Sequence, residues 1–382
     1  VKVTPDLKYA KVYVSVLNSK NLNKTLDGLK DSSGFIRSRV AKTVNLRITP
    51  ELVFEYDDSI EYGERIDSIL KILKEIKIAN DIVILTHNNP DGDAIGSSLA
   101  VYTALKNVGK NVEIIIPELP RIFNFLPNAE DIKKEGSKEI YDLAISLDCA
   151  TLKLLNGWSN YFEDAKFRVV VDHHSTNAMY GDLNYVDLSA PACSQVLYSL
   201  FNYYNVDITP EIGTCLMTGI ITDTGGFQYS GVSRETFEIA ADLLDSGVNI
   251  SKIYKKVFST HTKGNFALRK IALDRMELLE DGKVSFTYIT KEDEENVNAE
   301  TGDYEGIVDE GRNIEGVEVA IFLHEVKDGF KVSTRANEYV NVSDVCLMFG
   351  GGGHPRAAGA TMQGTPEQIK EKLIKEIRLQ LK

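Results

Sequence analysis

The run Asp81-Ile82-Val83-Ile84-Leu85, followed almost at once by His87-Asn88-Asn89-Pro90-Asp91-Gly92-Asp93-Ala94, decides how this chain is read. Its apolar part has the length and β-branched content of a buried parallel strand. Behind the polar loop, Ile95, Leu99, Tyr102 and Leu105 recur at helical spacing, and Gly109 stands where a C-terminal cap belongs. Strand, polar loop and helix make half of a βαβ unit. In open parallel sheets ligands bind at the carboxyl ends of the strands, so one histidine and two aspartates placed there face a crevice rather than a core.

Working outward, the pattern repeats. Residues 111–116 form a second short strand; residues 143–147 form a third that exits into Asp148; residues 167–171 form a fourth that exits into Asp172-His173-His174. Helices are expected over 193–204 and from 210 to about 221, the second ending at Thr222-Asp223-Thr224-Gly225. Taken singly, His-x-x-x-Asp-x-Asp arises by accident and an Asp-His-His triplet fits an exposed turn. Together, three of four strand exits carrying Asp or His point to a metal site. A metal ion in such a site can activate a water and relieve negative charge on a bound substrate. Imidazole and carboxylate ligands without thiolate suit Mn²⁺ or Mg²⁺, and the histidines tilt the choice towards Mn²⁺.

These four motifs, in this order, resemble the DHH phosphoesterase superfamily, over roughly residues 80–382. The resemblance implies a first metal held by His87, Asp91 and Asp148 and a second held by Asp93, Asp148, His173 and Asp223, with Asp148 as the bridge. It further implies that His174 contacts the phosphate or leaving group and that Asp172 fixes an imidazole tautomer.

Residues 226–281 read as a helical connector without catalytic signals, with helices over 235–245 (Ser233 as N-cap), 251–258 and 263–276. Residues 282–382 alternate again, with strands at 283–289, 317–326 and 329–333 and a closing helix over 366–381. Their signal is Cys346-Leu347-Met348-Phe349-Gly350-Gly351-Gly352-Gly353-His354-Pro355-Arg356-Ala357-Ala358-Gly359. By itself a glycine run is usually a flexible loop, although successive N–H groups can cradle an anion. With Ser333-Thr334-Arg335 upstream, it resembles the DHH-associated domain. That likeness implies that Gly351, Gly352, Gly353, His354 and Arg335 hold substrate phosphate or base; Arg335 suits bidentate phosphate contact. Arg356 has weaker warrant.

The front of the chain is different. Residues 9–16 alternate with period two, residues 23–44 carry Leu26, Leu29, Ile36 and Val40 with Gly34 at a midpoint where a helix would kink, and residues 51–56 form a second strand before a helix over about 65–78. Val3-Thr4-Pro5-Asp6-Leu7-Lys8-Tyr9-Ala10-Lys11-Val12-Tyr13-Val14, Ser32-Ser33-Gly34 and Pro50-Glu51-Leu52-Val53-Phe54-Glu55-Tyr56-Asp57 through Gly63-Glu64-Arg65-Ile66 resemble ribosome-binding factor A, a KH-like family of small-subunit maturation. The family's opening helix and strand have no counterpart, and Ser32 stands where an Ala is usual, so an incomplete module is expected.

Charge follows the same division. Lys2, Lys8, Lys11, Lys20, Lys24, Lys30, Lys42, Arg37, Arg39 and Arg47 against Asp6, Asp27 and Asp31 give residues 1–47 a charge of +7, leaving −20 for the rest of a chain whose net charge is −13. Charge alone does not separate a polyanion-binding front from a solvated basic face. The acidic body offers no basic track for long nucleic acid.

Length and composition set the remaining bounds. A chain of 382 residues that is 43% apolar suits two or three globular domains. No apolar run approaches the roughly 18 residues of a membrane span, and the start resembles no signal peptide, so a soluble cytoplasmic protein is expected. Beginning at Val1 rather than Met, the sequence reads as that of a fragment. Cys149, Cys193, Cys215 and Cys346 show no C-x-x-C spacing, which argues against zinc and disulfides. Cys149 reads as a packing residue, and His261 and His324 as surface or satisfied positions. Asn88 and Asn89 contact substrate or cap the loop, with nothing to choose between the two.

The expected architecture is α/β: residues 1–75 a partial KH-like α+β module, 76–225 a parallel-sheet catalytic domain, 226–281 the connector and 282–382 a smaller α/β substrate domain. The pairing resembles the nanoRNase and 3′-phosphoadenosine-5′-phosphate (pAp) phosphatase group. It implies a Mn²⁺-dependent enzyme that cuts very short oligoribonucleotides to mononucleotides and removes a phosphate from pAp, and it is compatible with a homodimer. The nearest rivals are a cyclic di-AMP or linear dinucleotide phosphodiesterase and a pyrophosphatase. A rival of another class is an RNA-binding ribosome-maturation factor with a secondary enzyme body, meeting ribosomal RNA or the small subunit through residues 1–75.

Overall fold

The computed structural model describes residues 1–15, 22–44, 48–56, 59–229 and 231–382; Val16, Lys20, Arg47 and Asp57, named above, fall outside them. The chain divides into two compact units, Val1–Val257 and Phe258–Lys382. None of the described helices is long and apolar enough to cross a membrane.

The first unit opens with β1 (Lys2–Val3), β2 (Tyr9–Val14) and β3 (Glu51–Tyr56), in the order β1-β2-β3, with β2 antiparallel to β1 and parallel to β3. Between β2 and β3 lie α1 (Leu22–Asp31) and α2 (Ser33–Thr43). The expected break at Gly34 falls instead at Ser32. Nothing crowds Gly34, whereas the Ser32-Ser33 pair is a poor helix interior because short hydroxyl side chains compete for backbone hydrogen bonds. Next comes α3 (Ser59–Ile78), which starts earlier than the sequence pattern suggests. Its isoleucines Ile66, Ile69, Ile72 and Ile76 join the core of the following domain, and the Tyr204 hydroxyl donates to the Ile69 carbonyl at 2.6 Å. A single helix thus runs from the front module into the body.

That body is a five-stranded parallel sheet ordered β5-β4-β6-β7-β8, built from β4 (Asp81–Leu85), β5 (Asn111–Ile115), β6 (Leu143–Leu147), β7 (Phe167–Asp172) and β8 (Leu183–Val186). Ile82, Val83, Ile84 and Leu85 are all buried, as expected of a strand covered on both faces. β8 was not anticipated, because Leu183-Asn184-Tyr185-Val186 is too short to show a period. The order reverses between β5 and β6 on either side of β4, placing a topological switch point at the carboxyl end of the opening strand. Covering helices are α4 (Gly92–Asn107), closed by Gly109 at φ 76°, α5 (Ser159–Glu163), α6 (Cys193–Tyr203) and α7 (Pro210–Asp223). α8 (Arg234–Asp245), capped by Ser233 in a capping box with Thr236, and α9 (Ile250–Phe258) pack Ile239, Leu243 and Ile253 into this same core. All four cysteines are buried free thiols, and burial pushes the Cys149 thiol up to about 11.

A buried carboxylate anchors the outer strand β5. Glu113 accepts from Lys133 Nζ at 2.7 Å, from the Ser137 hydroxyl at 2.5 Å and amide at 2.9 Å, and from the Tyr141 hydroxyl. Burial works against the charge, but these donors win and hold the carboxyl down at about 2, from an ordinary 4.5. A depressed carboxylate contributes stability that is present above its ordinary range and lost as pH falls through the folded value. Glu113→Gln is therefore expected to cost up to about 3 kcal/mol at pH 7, a difference from wild type that shrinks below pH 4.5 and is gone near pH 2. Denaturant melts across pH measure this, and a pH-independent difference would contradict it.

The second unit contains α10 (Lys263–Asp274), β9 (Glu277–Leu279), β10 (Val284–Ile289), α11 (Lys291–Asn296), α12 (Ile307–Arg312), β11 (Val319–Val326), β12 (Gly329–Ala336), α13 (Val342–Leu347), β13 (Gly352–His354), β14 (Ala357–Met362) and α14 (Pro366–Arg378). The sheet runs β13-β14-β12-β11-β10-β9, parallel only between β10 and β11. α14 buries Ile369, Leu373 and Ile377 in the core that holds Phe286 and Val332. The glycine run is less open than its composition suggests, since Gly352-Gly353-His354 pairs with β14. A side chain on Gly351 would run into the carbonyl of Gly359, so glycine is what lets the two segments approach.

Candidate metal centre

Three strand exits and one helix end converge in the first unit. His87 and Asp91 follow β4, Asp148 follows β6, His173 and His174 follow β7, and Asp223 is the last residue of α7. Donor atoms of His87, Asp91 and Asp148 form one group, those of Asp93, His173 and Asp223 a second, and those of Asp148, Asp172, His173 and His174 a third, each within 4.8 Å throughout. Every residue expected to hold metal is therefore brought together. Asp148 shares one group with His87 and, at 3.5 Å from His173 Nε2, adjoins the other.

Local structure explains each placement. Asp91 is the N-cap of α4, its Oδ1 accepting from the amides of Asp93 and Ala94 at 3.0 Å each. Asp93, wholly buried, accepts from the first amides of α6, Cys193 at 2.5 Å and Ser194 at 2.9 Å. A helix N-terminus stabilises a carboxylate there. Asp148 is 2% exposed and takes a left-handed φ of 51°, a conformation non-glycine residues keep only where the surroundings impose it.

The imidazoles are oriented differently. His173 Nδ1 lies 3.2 Å from the Ala190 carbonyl, which directs Nε2 towards Asp223, 3.3 Å away, and Asp148. His174 Nδ1 lies 2.8 Å from Asp172 Oδ1, while Asp172 Oδ2 accepts from Asn177 at 2.6 Å. Asp172 thus orients His174, and the Ala190 carbonyl orients His173.

Electrostatics test whether these residues suit cations. Burial, then repulsion from Asp93, pushes Asp148 up to about 7; burial, then Asp93 and Asp91, pushes Asp223 up to about 8. Burial also raises Asp93, and it keeps the His87 imidazole below its usual range, hence neutral and able to donate a lone pair. Burial pulls His173 down, but Asp148, Asp93 and Asp223 overcome it and lift His173 to about 10. Asp148 Oδ1 and His173 Nε2 are buried without a hydrogen-bond partner. Crowded carboxylates and buried polar atoms without hydrogen bonds are the expected state of a site shaped for positive charge. The donor set, imidazole and carboxylate without thiolate, fits a pair of hard divalent ions.

Sequence reasoning missed the support beneath Asp93. A side chain on Gly219 of α7 would collide with Ser194 Oγ and Asp93 Oδ1, and one on Gly92 with Thr222. Glycines inside otherwise regular helices were the available signal.

The expected substrate residues divide between the units. Asn89 is exposed on the His87 loop, and the Asn88 amide donates to the Leu154 carbonyl at 2.9 Å. In the second unit, Arg335 of β12 pairs with Ala357 of β14, which pairs with His354 of β13. Direct cross-strand partners share a face, so Arg335 and His354 flank a small alanine on one side of the sheet. Gly352 lies beside them, opposite Gly359. Arg356 donates to the Val340 carbonyl at 2.6 Å, a structural use. His324 has Nε2 3.0 Å from Glu294 and its ring stacked on Tyr304, while its Nδ1 is buried without a hydrogen-bond partner, so the expected satisfied position is met at one nitrogen only.

Comparison with known proteins places these features. Residues 81–220 match the DHH family, N-terminal domain, residues 281–382 match the DHHA1 domain and residues 1–70 match ribosome-binding factor A. The chain is 32% identical over 322 residues to the bifunctional oligoribonuclease and PAP phosphatase NrnA of Thermus thermophilus, covering 84% of this chain and 95% of that one. Its front is 49% identical over 82 residues to ribosome-binding factor A of Geobacter metallireducens, covering 21% of this chain and 70% of that one. Among solved structures, an exopolyphosphatase-related protein from Bacteroides fragilis superposes with a TM-score of 0.77 at 29% identity, covering 82% of this chain and 97% of that one.

Proposed function

Because this chain belongs to the DHH phosphoesterase family, in its oligoribonuclease and PAP phosphatase branch, with a ribosome-binding factor A domain at the front, we propose that it hydrolyses short oligoribonucleotides to mononucleotides and removes a phosphate from pAp. The observation that carries this reading is the convergence of His87, Asp91, Asp93, Asp148, His173 and Asp223 around two buried polar atoms that make no hydrogen bond. One ion would sit among His87, Asp91 and Asp148 and the other among Asp93, Asp148, His173 and Asp223, with Mn²⁺ as the favoured ion. When bound, such a pair supplies an activated water and neutralises charge on the phosphoryl oxygens.

The protein's own groups do the rest. The α6 amides keep Asp93 in place, and the Ala190 carbonyl keeps His173 Nε2 turned inward. Asp172, through its hydrogen bond, raises His174 and so favours its protonated form, despite burial. With Nδ1 engaged by Asp172, His174 Nε2 is the atom left to give a proton to the departing oxygen as the phosphorus–oxygen bond breaks. Arg335, His354 and the Gly351-Gly352-Gly353 backbone would receive a further phosphate or a base. Exposed Lys24, Arg39 and Lys42 on α1 and α2 would offer positive charge to ribosomal RNA.

The test is a side-by-side assay of the protein with Mn²⁺ on pApA, pAp, cyclic di-AMP and pyrophosphate. AMP from pApA and phosphate from pAp are expected, together with salt-sensitive retention of small-subunit RNA. Turnover of pyrophosphate alone would overturn the nucleotide reading.

A further inference from the structure

The loop that follows Asp223 carries an aromatic ring that the chemistry above does not use. Tyr229 is 51% exposed, and its ring packs against Gly225: a Cβ there would collide with the Cζ, Cε1 and Cε2 atoms of the ring. Gly225, at φ 57°, lets the ring rest on the main chain two residues beyond Asp223.

The loop under the ring is pinned from several sides. Thr224 is wholly buried; its hydroxyl accepts from the Phe227 amide at 3.0 Å and its carbonyl from the amides of Gln228 and Tyr229 at 2.9 and 3.1 Å. The Tyr254 hydroxyl donates to the Gly226 carbonyl at 2.8 Å. Phe227 is held at φ 67°, unusual for an aromatic residue, while its ring stacks on Phe237 at 5.4 Å. Phe227 and Tyr254 are thus spent on fixing the loop, and Tyr229 is the ring left facing outward. A ring set in place beforehand loses little entropy when a flat partner stacks on it.

We propose that Tyr229 is a stacking platform for a nucleobase of the substrate, a binding residue that favours nucleotides over base-free phosphoesters. The inference rests on the nucleotide reading given above. Every base offers a π-face, so such a platform accepts short oligonucleotides without regard to sequence.

The test uses the full chain with Mn²⁺, pApA, and two analogues lacking the base of either the first or the second nucleotide. Tyr229→Ala is expected to raise KM for pApA about tenfold, the size of a lost base stack, with kcat within about twofold. Tyr229→Phe keeps the ring and should match wild type. One abasic analogue should already show the raised KM with wild type and be indifferent to Tyr229→Ala. A fall in kcat shared by all substrates would mark the ring as a mere cover for Gly225 and overturn the proposal, as would an unchanged KM for pApA. Failure of wild type on pApA and pAp would remove the functional reading, and the platform with it.

Discussion

Asp148→Asn is expected to lower turnover by roughly 10³-fold or more, while raising the melting temperature of the ion-free protein. Asparagine keeps the size of the side chain and tolerates the left-handed backbone at φ 51°, so the loop after β6 has no reason to move. What changes is charge. Asp148 is buried beside Asp93, and its Oδ1 makes no hydrogen bond, the imidazoles of His173 and His174 standing off at 3.5 Å each, so without cations burial and Asp93 outweigh the imidazoles and disfavour its ionised form. An amide removes that penalty and, with it, the one carboxylate proposed to serve both ions. Divalent ions bound only by the folded state raise its stability by mass action. Added Mn²⁺ should accordingly raise the melting temperature of wild type markedly and that of the variant little. Wild-type turnover in Asp148→Asn would refute the bridging role.

Gly219→Ala should be damaging in its own right although no candidate ligand is altered. The added methyl would press on Asp93 Oδ1 and Ser194 Oγ where α7 crosses the α6 N-terminus, and both neighbours are fully buried. Overpacking of this kind costs about 1–3 kcal/mol, roughly 3–10 °C for a unit of this size. Because Asp93 cannot yield without losing its amide donors, activity should fall further than stability, by about 10–100-fold. Gly157→Ala, at a glycine with open space around it, is the control and should be neutral. Full activity in Gly219→Ala would show that Asp93 can shift without consequence.

The candidate ligands were legible because each stands directly after an apolar run or at a helix end, and a parallel strand exit is a place where polar residues must face a crevice. The glycine-rich segment was legible as a signal but not as a strand. Its pairing with β14 depends on contacts with Ala357, Ala358 and Gly359, and no periodicity in a glycine run announces them. β8 is too short to show a period, and the helix break lies at Ser32, two residues before Gly34, because the hydroxyl side chains of Ser32 and Ser33 rather than the glycine interrupt the helix. α3 begins at Ser59, six residues before the expected start, and Ile69 and Ile72 within the expected part pack on a domain that begins only later in the chain.

The sequence by itself determined the order of motifs, the α/β class, the ligand chemistry and the basic front, since all of these are local properties of neighbouring residues. The tertiary structure alone decided which group supports which. It gave Asp93 to the amides of Cys193 and Ser194, a hundred residues away, oriented His173 by Ala190 and His174 by Asp172, and aligned Arg335, Ala357 and His354 in one register. Hydrogen bonds and steric limits between distant segments exist only once the chain has closed on itself, and they leave no period in the sequence to be read.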